Sequence, residues 1–308
     1  MNRKQPKAMG KVLFMLATAL LLTTGCGRNY VVLHPVGPVA RSELSLILLS
    51  TILVLIVIVP VIVLLAFIVI RYRDKPGNTA PYKPEWASSK VLEIIWWTIP
   101  VIIVGILGTV TVQKTFALMK PPVKNVQPMT IDVTSLDWKW LFEYPGQKIA
   151  TLNYAEIPTG VPVQFILTSD APMNSFWVPQ LGGQEYTMPG MEMRLWLQAN
   201  QTGDYLGRGA NFTGKGFAHM TFHIDAKPES EFNSWVKSVQ KSSSPLTDAE
   251  YKQLEKPSSV TATKSYSSFP PDLYTEIVKR NGNMHMAPGG TMGNTTSSAM
   301  SGSMANMN

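Results

Sequence analysis

Thiol or metal chemistry needs cysteines and histidines at ligand spacing, and this 308-residue chain has one cysteine, Cys26, and four histidines. A single thiol can form no disulfide within the chain and build no cysteine-based metal site. His219 and His223 bracket Met220 and are expected on one face of a strand, opposite Met220 and Phe222. Two imidazoles with no further donor nearby in sequence make a poor metal site, so surface or hydrogen-bonded histidines are the expected reading. Glu93 is the one acid at the head of a long apolar run. An ionisable group there is costly and often functional. A carboxylate favoured by the positive end of a helix fits the position equally well.

The elements that must hold these residues follow from hydropathy. Arg3, Lys4, Lys7 and Lys11 precede an apolar stretch, Val12–Leu22, too short to cross a bilayer. Small residues then lead to Cys26, so residues 1–25 read as a lipoprotein-type signal peptide with Cys26 as the acylated first residue of the mature chain. Residues 26–43 form an external segment. Residues 44–70 carry no charge, and a helix that long reaches about 40 Å, enough to cross a hydrocarbon core of ~30 Å. Pro60 lies inside it. A second span covers 91–118, with Trp96 and Trp97 at an interface position. The loop 71–90 holds Arg71, Arg73, Lys75, Lys83 and Lys90, which makes it cytoplasmic by the positive-inside rule and puts everything after 118 outside.

The net charge of +7 belongs to these targeting and topology segments. From Met119 onward the chain has 15 basic and 16 acidic residues, close to neutral. A phosphate-binding face is excluded, and with it nucleic acid as a partner.

Beyond Pro128 the apolar period becomes two. Ile131 and Val133, then Val161, Val163, Phe165 and Leu167, then Met193, Leu195 and Leu197, then Met220, Phe222 and Ile224 alternate with polar or outward residues. This predicts an all-β sandwich over 119–226. From 227 to 281 the period is helical. Phe232, Trp235, Val236 and Val239 share one face, Thr247 with Glu250 makes a capping box, and Leu273, Ile277 and Val278 suggest a last short helix. Residues 282–308 are rich in Met, Gly, Ser and Asn, as in a solvated tail.

Several strings in order resemble subunit II of haem–copper terminal oxidases. They are Leu92–Pro100, Asp137–Trp140, Asn174–Gly182, Met188–Met191 and Tyr205–Met220. The resemblance covers roughly 26–280 and implies a two-helix transmembrane hairpin with an external cupredoxin-like sandwich and short C-terminal helices. Relatives that accept electrons from cytochrome c hold a dinuclear copper centre with two Cys, two His, a Met and a Glu carbonyl. Here the matching positions carry Asn174, Gly209, Asn211, Thr213 and Phe217, and only Met220 is kept. A lone thioether cannot hold such a centre.

The pattern resembles the quinol-oxidising branch, most of all the bo-type ubiquinol oxidases, with Gram-positive menaquinol oxidases next. That branch implies a subunit that binds no cofactor itself. Haems and a single copper would sit in subunit I, and quinol would be the substrate of the complex. The partners implied are subunit I, further small oxidase subunits and membrane lipid, without cytochrome c. The setting implied is a bacterial cytoplasmic membrane, crossed more than once. At the position of Glu93 the family places a carboxylate at the entrance of a proton channel. Trp138 and Trp140 are either interface or core residues. The competing reading is a free-standing membrane-anchored receptor or assembly factor, which the ordered oxidase strings disfavour. The lipidation expectation has a direct check: intact mass of the mature chain should give a chain beginning at Cys26 with added diacylglycerol, and an unmodified thiol would remove it.

Overall fold

The computed structural model of the chain describes residues 30–81, 83–123, 125–259 and 262–282. The expected signal peptide, the acylated Cys26 and all of the expected Met-rich tail but Gly282 lie outside the described residues.

A single 3-10 turn, Val31–Leu33, leads into helix α1, Pro38–Arg71, and a loop joins it to α2, Lys90–Leu118. Both are long and apolar enough to cross a membrane, and they are the two such helices among the described residues. The first begins six residues before the uncharged run at 44. Gly37 is its N-cap and Pro38 occupies the first turn, where a missing N–H costs nothing. At 34 residues it is about 50 Å long, some 20 Å more than the hydrocarbon core needs.

The surplus turns dock on the β-domain. Val36 N–H donates to Gln180 O at 2.9 Å, Ala40 N–H to Leu181 O at 3.2 Å, and Gly183 N–H to the Glu43 carboxylate at 2.7 Å. Val39 and Ala40 are buried there. A side chain at Gly37 would run into the carbonyls of Gln198 and Leu181, so glycine is what lets the chain pass. The start of α1 is therefore packed against the β-domain. The rest of both helices presents bare apolar surface, apart from the buried Leu53. In α2, Ser89 caps the first turn through Leu92 N–H, and Glu93 sits in that turn.

The domain is a sandwich of two sheets. The strands are β1 (Met129–Leu136), β2 (Lys139–Tyr144), β3 (Ile149–Leu152), β4 (Tyr154–Pro158), β5 (Val163–Ser169), β6 (Asn174–Trp177), β7 (Gln184–Thr187), β8 (Met193–Leu197), β9 (Gly203–Gly209), β10 (Thr221–Lys227) and β11 (Lys264–Tyr266). One sheet has the order β11-β3-β2-β1-β5-β8, the other β4-β10-β9-β6-β7. β1 pairs parallel with β5 and β4 with β10; the other pairings are antiparallel. Between the sheets lie Ile131, Val133, Trp140, Phe142, Phe165, Phe176, Phe222 and Ile224, all without exposed surface.

The C-terminal extension is more than helical. After α3 (Glu229–Ser242) and α4 (Asp248–Leu254), strand β11 joins the sheet edge beside β3 before α5 (Leu273–Asn281). Thr247 caps α4 as expected, accepting from Glu250 N–H. The apolar face of α3 closes one end of the main core through Phe232, Val236 and Val239. α4 and α5 cover the outer face of the six-stranded sheet, where Leu136, Leu141, Leu152, Tyr251, Leu273 and Ile277 form a second core. That sheet is thus buried on both faces, which is why every residue of β2 is buried.

Trp140 was one of two interface candidates, and that reading is corrected here. Its ring has no exposed surface and lies edge-on to Phe176 and Phe222, with centroids at 5.4 and 5.3 Å. A fully enclosed indole cannot touch another subunit. Trp140→Ala should cost about 3–5 kcal/mol of domain stability, the usual range for deleting a large aromatic from a core. Denaturant unfolding of the variant measures it.

Candidate functional site

The row of inward side chains on β6 is Asn174 then Phe176, and on β10 it is Met220, just before the strand, then Phe222. Strand alternation aims both pairs at the core. Asn174 and Met220 therefore meet at the end of the sandwich where the loop 210–220 crosses over. The Asn174 amide nitrogen lies 2.9 Å from the Met220 sulfur, and its amide oxygen accepts from Ser175 N–H at 2.7 Å and from Asn211 N–H at 3.3 Å. Ser175 O–H in turn donates to the Asn211 side-chain oxygen at 3.0 Å. Asn174 is buried, with 1% of its surface exposed. One carboxamide thus ties β6, the loop and the start of β10 together.

Gly209 makes room for it. A Cβ built at 209 would come within 2.9 Å of the Asn174 side-chain oxygen and 3.0 Å of its nitrogen. Asn at 174 in this pose and a side chain at 209 exclude each other, so the two residues belong together. Phe217 lines a shallow surface cleft with Trp177, Arg208, Gly209, Ala210 and Met220. Phe212, the most exposed large apolar residue of the domain at 79%, leans edge-on to Phe217.

The far arm of the loop rests on Trp138. Its indole N–H donates to Thr213 O at 3.0 Å, and its ring lies so close to Gly216 that a Cβ there would collide with it. Trp138 has φ of 62°, a left-handed conformation costly for a bulky residue. The hydrogen bond and the ring contacts hold it there. Next to it, the buried Lys139 amine donates to Lys256 O and Ser258 Oγ, each at 2.8 Å, and ties the C-terminal extension to the same turn. Burial pushes its pKa down.

The structure thus brings together Asn174, Gly209, Asn211 and Met220 directly, with Phe217 on the rim and Thr213 held through its carbonyl. Glu93 stands apart on α2 and is exposed. The donor set does not fit a dinuclear copper centre. It offers no thiolate and no imidazole at those positions, and the only soft atom already accepts a hydrogen bond from Asn174. Among the described residues no group of three His, Cys, Asp or Glu side chains is placed to hold a metal ion.

The two histidines do not share a strand face. His219 ends a 3-10 turn, Phe217–His219, and β10 begins only at Thr221. Gly214, with φ of 104°, lets the chain double back into the turn, and Phe217 N–H bonds to Gly214 O. His223 is exposed on β10, and its Nδ1 meets the Asp204 carboxylate at 2.8 Å.

Comparison with known proteins places these details. The family described as "Cytochrome C oxidase subunit II, periplasmic domain" matches residues 147–227, and the one described as "COX Aromatic Rich Motif" matches 240–285. Quinol oxidase subunit 2 of Bacillus cereus is 49% identical over 265 residues, 85% of this chain and 91% of its own length. The chain belongs to the quinol oxidase subunit 2 family. Within that family it is also similar to the cytochrome bo(3) ubiquinol oxidase subunit 2 of Pseudomonas putida, 40% identical over 281 residues, 91% of this chain and 88% of that one. Among solved structures, the periplasmic domain of subunit II of the Bradyrhizobium japonicum cytochrome oxidase covers 36% of this chain and 91% of its own, at 24% identity and a TM-score of 0.35.

The Asn174 hub is testable. Asn174→Leu keeps the bulk but leaves the N–H groups of Ser175 and Asn211 without their acceptor. It should cost about 1–3 kcal/mol per donor left buried. Gly209→Ala should cost a comparable amount by displacing the same amide. Thermal unfolding of each variant checks both.

Proposed function

We propose that this chain is the non-redox second subunit of a proton-translocating terminal oxidase that oxidises quinol and reduces oxygen to water. The observation that carries this is the filled copper position: a hydrogen-bonded Asn174 amide and Gly209 stand where thiolate and imidazole would have to be. Quinol is soluble in the bilayer, so electrons can reach subunit I, with its haems and single copper, without a relay facing water. The relatives named quinol oxidase and ubiquinol oxidase subunit 2 support the same substrate class.

In this reading α1 and α2 cross the bacterial cytoplasmic membrane and lay their bare apolar surfaces against subunit I and lipid. The domain stands outside and caps subunit I, with Trp138 the remaining interface candidate. The signal peptide and Cys26 anchor the mature amino terminus on the same side, where α1 docks on the domain. Glu93 serves at the opposite, cytoplasmic end. Exposed in the first turn of α2, it can pass protons between water and a channel in subunit I, as a positioned carboxylate does.

The test is oxygen uptake by the complex purified through a tag on this chain. Quinol should support turnover and reduced cytochrome c should not. Uptake driven by cytochrome c would overturn the loss of the copper relay. Glu93→Gln should slow quinol turnover several-fold with haem content unchanged. A variant with full turnover would remove Glu93 from the proton route while leaving the quinol assignment standing.

A further inference from the structure

The outer face of the six-stranded sheet holds a second group of ionisable residues that the oxidase reading does not use. Asp132 on β1 and Glu143 on β2 are direct cross-strand partners. Like charges in that arrangement repel. Glu143 has no exposed surface, and neither of its carboxylate oxygens has a hydrogen-bond partner among the described residues. Helix α5 lies over the pair and buries Tyr274, whose hydroxyl is equally without a partner, while Leu273 and Ile277 anchor the same helix in the outer core.

The charged and titratable groups facing this spot are Asp132 from β1, Glu192 and Arg194 from the start of β8, and Tyr274 from α5. β3 contributes only Ala150 opposite Glu143. The neighbouring buried amine, Lys139, is committed to Lys256 and Ser258. Arg194 is exposed at the edge. No third metal-ligating side chain among the described residues completes a cation cage. A buried ionised carboxylate with no partner is strongly unfavourable, and the remaining way to remove its charge is a proton.

We propose that Asp132 and Glu143 form a proton-binding site that latches the C-terminal helix α5 onto the outer face of the sheet. With a proton bound, the pair carries at most one charge and α5 packs over it. When the proton leaves, two adjacent carboxylates repel beneath an apolar lid and the helix loosens. Burial pushes Glu143 well above the carboxylate range, and Asp132 adds to the effect. Burial, then Glu192, pushes Asp132 up to about 6 from 3.8. Both folded-state values lie above their unfolded ones, so the closed form holds protons that the open form has lost. Packing is then at full strength below about pH 4 and weakens as pH rises through about 6 and beyond. With the domain outside the membrane, as proposed above, the latch responds to external pH and acidification tightens it. That physiological sense rests on the oxidase reading, but the latch itself does not.

The experiment is hydrogen exchange of the purified complex between pH 5 and 8, with rates corrected for intrinsic exchange and resolved to residues 273–281. Wild-type protection should fall with rising pH by up to roughly tenfold per unit, the slope for loss of one proton. Glu143→Gln, an uncharged isostere, should hold protection high and remove the slope above about pH 6, leaving the Asp132 step below it, and Asp132→Asn should remove that lower step and keep the part of the slope that Glu143 carries. A pH-independent wild type, or a Glu143→Gln variant that follows the wild-type profile, would overturn the latch. So would recovery of protection at pH 8 on adding calcium, which would make the ligand a cation. Oxidase activity does not enter the readout, so failure here leaves the quinol assignment untouched.

Discussion

The packing of Phe176 against Phe222 is the constraint from which the rest of the domain takes its geometry. The two rings stack at 4.7 Å with 17° between their planes, across β9. Gly207, the cross-strand partner of Phe222 on β9, leaves room for this; a Cβ there would strike the Phe222 ring. Trp140 and Phe142 from the opposite sheet close on both rings. Such aromatic pairs add about 0.5–1.5 kcal/mol each beyond the area they bury. Because strand side chains alternate, placing Phe176 and Phe222 also places Asn174 and Met220, two residues away on the same inward rows. This end of the sandwich therefore inherits its shape from the core.

The protein's own side chains hold that end together. The Asn174 carboxamide ties β6, the 210–220 loop and the start of β10 with neutral hydrogen bonds, and Trp138 props the loop from below. The extension adds a third layer. Asp170, at the end of β5, accepts from Arg280, Tyr251 and Asn281, so α4 and α5 are pinned to the sheet at one end while Tyr274 covers Asp132 and Glu143 at the other. The docking of α1 through Glu43 and Gly183 then fixes the whole assembly to the long apolar helix.

The legible part of the fold was the part with one wet face or a long uninterrupted apolar run. β1, β5, β8 and β10 announce themselves by alternation, and α1 and α2 by length. β2 does not, because Lys139, Leu141 and Glu143 look like a solvent face and are in fact covered by the C-terminal extension. Strand β11 is three residues long and takes its conformation from the sheet edge, a non-local cause that no local pattern carries. His219 was expected on a strand because alternation extrapolates backward from Phe222. The glycine at 214 turns the chain first. Asn174, Gly209, Asn211, Thr213, Phe217 and Met220 were singled out through resemblance. The bond from Asn174 to Met220, and the reason Gly209 must lack a side chain, needed three dimensions.

The central claim is that hydrogen bonding and core packing, not copper, organise the outer end of this domain. Low-temperature electron paramagnetic resonance of the oxidised complex, purified with copper supplied, tests it most directly. The account predicts no mixed-valence dinuclear copper signal from this chain. A signal of that kind, removed by Met220→Leu, would contradict it.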